Sequence, residues 1–76
     1  MSAVETRLAE QLQVGDVVHL SPTISVRVED ITGKTDHSIT YQSRYVKSDS
    51  YPHFVGRSRF ITNRLTAKIK IERNER

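Results

Sequence analysis

Residues 24–31 have the sequence ISVRVEDI and show the clearest alternation of apolar and polar side chains in the chain. Apolar residues at positions 24, 26 and 28 alternate with polar residues at 25, 27 and 29, so an extended backbone carries the two sets on opposite faces. Ile31 is out of phase, which predicts a β-bulge or the end of strand pairing near Asp30. The segment predicts a strand with one buried face, and with it an all-β fold.

The same pattern, bounded by turn residues, predicts four further strands, at residues 17–20, 37–46, 57–62 and 65–72. Residues 32–36 (TGKTD) resemble the end of a phosphate-binding loop, but the position five before Gly33, where such a loop needs a glycine, is Val28. We therefore interpret residues 32–36 as the turn of a hairpin. Residues 47–56 contain serines, a proline and a glycine and form the longest irregular segment.

Residues 1–13 favour a short helix or helical turn. Ser2 and Glu5 have the spacing of a capping box, and Leu8 and Leu12 would share one helix face. So short a helix is marginal in water, so it must dock on the rest of the chain. Residues 73–76 are charged and are expected to form a loose tail.

Five short strands in 76 residues predict one small, closed or nearly closed β-barrel domain over residues 1–76. The residues predicted to face its interior are Val18, Leu20, Ile24, Val26, Val28, Ile39, Tyr41, Ile61, Leu65, Ala67, Ile69 and Ile71. Residues 12–20 (LQVGDVVHL) resemble the entry to the first strand of SH3-like barrels, where a hydrophobic-x-V-G-D-x-V phrase leads into a strongly bent second strand. The resemblance implies a five-stranded SH3-like fold and no particular site. An OB-like barrel is the alternative.

Charge is distributed unevenly along the chain. Residues 1–43 contain three Lys and Arg against six Asp and Glu, whereas residues 44–76 contain nine against three. A basic half favours a polyanion or an acidic protein surface as partner. There is no cysteine, no apolar run approaches the roughly 18 residues of a membrane span, and the N-terminus lacks the apolar core of a signal peptide. We expect a soluble, cytoplasmic protein that does not associate with membranes.

Side chains that carry catalysis or bind metals do not occur at productive spacings. His19, His37 and His53 are far apart, and there is neither a cysteine nucleophile nor a Gly-x-Ser-x-Gly motif. Glu29 and Asp30 are adjacent, but alternation along a strand sends their carboxylates to opposite faces. We therefore expect a protein that is not an enzyme and that holds no metal or cofactor.

Residues 41–60 combine all five aromatic residues of the chain with four cations. Cations contact phosphates and aromatic rings stack on unpaired bases, so the segment predicts weak, low-specificity binding of single-stranded nucleic acid or RNA. The predicted nucleic-acid-binding face consists of Arg44, Tyr45, Lys47, Tyr51, Arg57, Arg59 and Arg64. Phe54 and Phe60 are expected to anchor the irregular segment on the barrel.

Tyrosine and arginine also suit protein interfaces, so the alternative function is a protein-interaction or assembly module. Such a module would use the same face or an exposed edge strand, for which residues 24–31 and 65–72 are the candidates. Salt distinguishes the two functions, because phosphate binding weakens steeply with salt and an interface with an aromatic core does not.

Overall fold

The computed structural model describes residues 2–74, which form an all-β fold. Within that range the strands are β1 (Ser2–Leu8), β2 (Val17–Ser21), β3 (Ile24–Lys34), β4 (Ser38–Ser48), β5 (Ser58–Arg64) and β6 (Lys68–Asn74). Two single turns of 3-10 helix, η1 (Ala9–Gln11) and η2 (Pro52–Phe54), lie between them. The strands form one antiparallel sheet in the order β1-β6-β2-β3-β4-β5, which is not closed and has β1 and β5 as its edges. No helix in residues 2–74 has the length and apolarity that crossing a membrane requires.

Strands β2 to β6 correspond to the five strands predicted from the sequence, with ends that differ by at most a few residues. β3 and β4 pair through three register shifts, one of them between Val28 and Asp30, which confirms the irregularity predicted there. Register shifts of this kind favour a bend and a stronger local twist in a strand. The predicted hairpin is confirmed, but its turn lies at residues 35–37 instead of 32–36, because β3 continues to Lys34 and the Thr35 N–H donates to the Ser38 carbonyl at 2.8 Å.

The helix predicted within residues 1–13 is wrong, because residues 2–8 form an edge strand. β1 pairs with β6 from Ser2, opposite Asn74, to Leu8, opposite Lys68. A strand that joins an existing sheet gains a continuous ladder of hydrogen bonds, whereas an isolated helix of this length is marginal. Helical structure in this segment is confined to η1, where the Leu8 N–H donates to Gln11 Oε1 at 3.1 Å. The described chain therefore has six strands in an open sheet, where the sequence predicted five in a barrel.

Arg73, which the sequence assigned to a loose tail, lies in β6 and is held by Asp16. Its Nε donates to Asp16 Oδ1 and its Nη2 to Asp16 Oδ2, both at 2.8 Å. Asp16 also closes the turn before β2 by accepting the Gln13 N–H at 2.9 Å. Gly15 in that turn has a φ of 97°, which glycine adopts without strain. Asn74 of the predicted tail also lies in β6, and residues 75 and 76 lie outside the described residues.

The core packs on one face of the sheet. Its buried apolar residues are Ala9, Leu12, Val18, Val26, Val28, Ile39, Tyr41 and Ile71. The six of these that belong to strands were all predicted to face inward, and the other two flank or belong to η1. The prediction for Leu20 is wrong: it is 41% exposed, because the register between β2 and β3 shifts after His19.

Tyr41 is the largest fully buried side chain of this core. Its hydroxyl donates to Asn63 Oδ1 at 2.9 Å, which satisfies the polar end of the ring at the boundary between β4 and β5. Burial raises the pKa of Tyr41 to about 12, and the charge of Arg59 opposes that rise only in part. Tyr41 is thus a neutral hydrogen-bond donor that joins β4 to β5.

The edge strands predicted from the sequence are wrong. β3 contains residues 24–31 and lies between β2 and β4, while β6 contains most of residues 65–72 and lies between β1 and β2. The open edges of the sheet are therefore β1 and β5. Alternation of polar and apolar residues shows which face of a strand is buried, but it does not show which strands are its neighbours.

Candidate nucleic-acid interface

Three aromatic residues and two arginines meet where the chain passes from β4 to β5. β4 supplies Tyr45, the connection through η2 supplies Tyr51, Phe54 and Arg57, and β5 supplies Arg59. We call these five residues the aromatic platform.

Backbone hydrogen bonds fasten the connection to β4. The Gly56 N–H donates to the Tyr45 carbonyl at 2.8 Å, and the Tyr45 N–H donates to the Arg57 carbonyl at 2.9 Å. Pro52 begins η2, where its missing N–H would have had no helical partner. Gly56 has a φ of 92°, which allows the chain to reverse before β5. The side chains of η2 are therefore placed beside Tyr45 by the backbone.

The three rings of the aromatic platform form a row with Phe54 at its centre. The Phe54 centroid lies 5.7 Å from that of Tyr45 and 5.3 Å from that of Tyr51, and it stacks on Tyr51 with an interplanar angle of 29°. His53 packs edge-on against Phe54, with centroids 4.6 Å apart. Tyr51 is 53% exposed, so much of its ring remains in contact with solvent at the end of the row.

The two arginines of the aromatic platform contact the rings and carry unneutralised charge. Arg57 Cζ lies 5.8 Å from the Phe54 centroid, within cation–π range, and Arg59 Nη1 donates to the Tyr45 hydroxyl at 2.9 Å. Both side chains are exposed. Neither forms an ion pair with a carboxylate of residues 2–74. Positive charge therefore stands beside aromatic surface that solvent reaches.

Four of the seven predicted site residues belong to the aromatic platform, and the structure places Arg44 on the other face of the sheet. Arg59 lies opposite the buried Ser43 on the core side, whereas Arg44 is the next residue along β4 and points away. The Arg44 side chain donates to Glu29 Oε1 at 2.6 Å and to the Gly56 carbonyl at 2.8 Å. Arg44 thus supports the connection from behind instead of presenting its charge with Arg57 and Arg59.

Lys47 and Arg64 also lie apart from the aromatic platform. Lys47 Nζ is 3.4 Å from the Pro22 carbonyl and 3.9 Å from Asp49 Oδ2.

Arg64 is the last residue of β5 and borders a small cleft. The other residues that line this cleft are Asp36, His37, Leu65 and Thr66. The seven predicted residues therefore do not share one face.

The side chains of η2 contribute more to the aromatic platform than the sequence predicts. The sequence predicts an anchoring role for Phe54, and Phe54 does pack against Tyr45, but it is also the centre of the ring row. The spacing of the histidines predicts no role for His53, which packs against Phe54. The sequence signal for this cluster is the segment 51–54, Tyr-Pro-His-Phe, which places three aromatic rings within four residues. The anchoring role predicted for Phe60 is wrong, because Phe60 points outward from β5 and is 66% exposed.

The other histidines make contacts away from the aromatic platform. His19 lies on the face of β2 opposite Val18, where its Nδ1 is 2.9 Å from Ser25 Oγ and its Nε2 is 3.7 Å from Glu72 Oε1. His37 is exposed in the turn before β4. In the described part of the chain, no three histidine or carboxylate side chains converge as metal ligands do.

The aromatic platform can therefore make two kinds of contact, stacking on planar groups and ion pairing with anions. Known proteins offer no guide to its ligand, since no family model, no curated protein and no solved structure matches the chain.

Proposed function

We propose that this protein is a non-enzymatic, cytoplasmic binding module that holds single-stranded nucleic acid or RNA on the aromatic platform. One observation carries the proposal: the ring row Tyr45–Phe54–Tyr51, half-buried at Tyr45 and Phe54 and exposed at Tyr51, is flanked by Arg57 and Arg59, which have no carboxylate partner in residues 2–74. Unpaired bases stack on such rings, and phosphates of the same strand pair with such guanidinium groups.

The same contacts indicate weak binding with little sequence preference. Every base has a flat face and every nucleotide a phosphate, so stacking and ion pairing do not distinguish one sequence from another. A duplex covers the faces of its bases, which leaves only the charge contacts. We therefore expect single strands to bind more tightly than duplexes of the same length.

The fold assignment that accompanies this function is an SH3-like barrel to which β1 has been added. Its support is β3, the second strand after the Val-Gly-Asp phrase, whose 11 residues pair with β4 through three register shifts; such shifts favour the bend that the resemblance implies for this strand. Interstrand distances measured by NMR in solution test this assignment. A sheet that curls around the core supports it, and a five-stranded Greek-key barrel would favour the OB-like alternative.

Fluorescence titration of labelled single-stranded and duplex oligonucleotides, at low and moderate salt, tests the proposed function. We expect single strands to bind more tightly and the affinity to fall steeply with salt, because binding releases counterions. If neither oligonucleotide binds at low salt, the proposal is wrong. Binding that hardly changes with salt would instead indicate an interface held by apolar contacts.

Charge reversal separates the aromatic platform from general basicity. Arg57→Glu combined with Arg59→Glu should abolish binding without unfolding the protein, since both side chains are exposed. Lys34→Glu combined with Lys68→Glu is the matched control, because it changes the net charge equally at exposed positions outside the platform. Equal losses of affinity in the two double variants would show that only net charge matters.

Tyr51→Ala tests stacking. It removes the most exposed ring of the row and should lower single-strand affinity about tenfold while changing duplex affinity little. Val55→Ala removes a neighbouring exposed apolar side chain that has no ring, and it should change neither affinity. An equal effect of Tyr51→Ala on single strands and duplexes would contradict base stacking.

A further inference from the structure

The outer edge of β5 presents backbone groups that no other strand uses. The Tyr45 N–H donates to the Arg57 carbonyl before β5, and the Leu65 N–H donates to the His37 carbonyl after it. Hydrogen-bonded pairs recur at every second residue of an antiparallel ladder, so these two bonds assign residues 59, 61 and 63 to bonding with β4. The N–H and C=O groups of Ser58, Phe60 and Thr62 therefore point away from the sheet.

This edge lacks two of the usual protections against strand pairing, a proline and a register shift, and the charges that it carries are arginines. β5 contains no proline or lysine, and its pairing with β4 has no register shift. Ser58, Phe60 and Thr62 are exposed, and Phe60 is the most exposed large apolar residue described. A seven-residue edge with regular pairing is suited to accepting another strand.

Charge indicates what kind of strand fits. Arg57, Arg59 and Arg64 are exposed along or beside β5, none of them has a carboxylate partner in residues 2–74, and β5 itself contains no acidic residue. A second copy of this edge would bring the same three cations close to them, and like charges facing each other across strands are destabilising. An acidic strand would instead gain opposite-charge pairs.

We propose that β5 binds an extended, acidic peptide segment of another protein as a seventh, antiparallel strand. Antiparallel pairing matches the rest of the sheet and is slightly more stable than parallel pairing. This surface differs from the aromatic platform in its use of backbone groups and Phe60, although Arg57 and Arg59 border both.

The register of β5 specifies the partner's side chains. The peptide residue opposite Phe60 and the residue before it, opposite Ile61, are apolar. The residues opposite Arg59, Arg57 and Arg64 are acidic. An octapeptide with the sequence Glu-Thr-Thr-Val-Val-Glu-Thr-Glu meets these requirements when its fifth residue lies opposite Phe60.

Calorimetric or fluorescence titration with that octapeptide, capped at both ends, tests the proposal at low salt. N-methylation of its third and fifth residues removes N–H groups directed at β5, and it should weaken binding at least about tenfold through two lost hydrogen bonds. N-methylation of the fourth and sixth residues, whose N–H groups point away from β5, should leave affinity nearly unchanged. Equal effects of the two modifications, or no binding by the unmodified peptide, would overturn the proposal.

Variants of the protein provide the complementary test. Phe60→Pro removes an N–H that β4 does not use, so the strand should remain folded and lose the peptide. Phe60→Ala is the matched control, because it removes the same ring, keeps the N–H and should bind with intermediate affinity. Equal affinities of the two variants would exclude backbone pairing at this edge.

Two further results separate this surface from the others. Tyr51→Ala should leave peptide affinity unchanged, and Phe60→Pro should leave single-strand affinity unchanged, so failure of one surface does not imply failure of the other. Sedimentation of the protein alone should show a monomer. A dimer that Phe60→Pro dissociates would overturn the proposal by showing that a second copy occupies β5.

Discussion

Two arginines near strand ends have different surroundings: Arg73 lies near the end of β6, and Arg57 directly precedes β5. The Arg73 side chain is 15% exposed and makes two hydrogen bonds to Asp16, whose side chain is 3% exposed. Arg57 is exposed, and its guanidinium lies beside the Phe54 ring with no carboxylate partner in residues 2–74. An arginine paired with a buried carboxylate supports the fold, whereas an arginine beside rings in solvent is free to contact a ligand.

The contacts of Asp16 determine its pKa. Burial alone raises the pKa of Asp16. The hydrogen bonds from Arg73 and the Gln13 N–H, together with the charges of Arg73 and Arg7, outweigh burial and leave the pKa below its ordinary value of 3.8. The carboxylate is therefore charged near neutral pH, and it joins the turn before β2 to the end of β6.

The largest expected effect is on folding stability. Asp16→Ala should lower the free energy of unfolding by about 3 kcal/mol, because it removes a buried carboxylate that accepts hydrogen bonds from the Arg73 guanidinium and from the Gln13 N–H. Urea denaturation measures this change. Glu29→Ala is the matched control: it removes the partner of exposed Arg44 and should cost less than about 1 kcal/mol. If the two variants lose similar free energies of unfolding, the buried Asp16–Arg73 pair stabilises the protein no more than the exposed Glu29–Arg44 pair does.

The pH dependence of stability should show the Asp16 pair directly. Because the pKa of Asp16 is lower in the folded state than its ordinary 3.8, its contribution is complete above pH 3.8 and is lost as the pH falls through the folded pKa. Urea denaturation of the wild type and of Asp16→Asn should be compared at neutral pH and at pH values below 3.8. The difference between their free energies of unfolding should shrink as the pH falls. If this free-energy difference stays constant or grows on acidification, the Asp16–Arg73 ion pair does not stabilise the folded state as expected.

The smallest expected effect on stability is that of Arg57→Ala. Its side chain is exposed, so we expect the free energy of unfolding to change by no more than about 0.5 kcal/mol. Affinity for single strands should nevertheless fall, because one phosphate contact is lost. Thermal denaturation and oligonucleotide titration of the same sample measure both. A large loss of stability would mean that Arg57 supports the fold as Arg73 does.

Much of the β structure could be predicted from local pattern. Apolar residues at every second position predicted strands β2 to β6, and six of the inward-facing residues, including Val26 and Tyr41, are buried. The candidate site was predicted only in part. Residue type indicated Tyr45, Tyr51, Arg57 and Arg59, but it could not show that Arg44 turns to Glu29 on the opposite face.

The sequence by itself determined the all-β class, the strands β2 to β6 and the concentration of rings and cations in residues 41–60, because alternation and composition are local properties. The tertiary structure alone decided that residues 2–8 form a strand, that β1 and β5 are the edges, and that η2 stacks Phe54 between Tyr45 and Tyr51. These features depend on contacts between distant parts of the chain. The register with β6 places β1, and the backbone bonds of Gly56 and Arg57 to Tyr45 place η2.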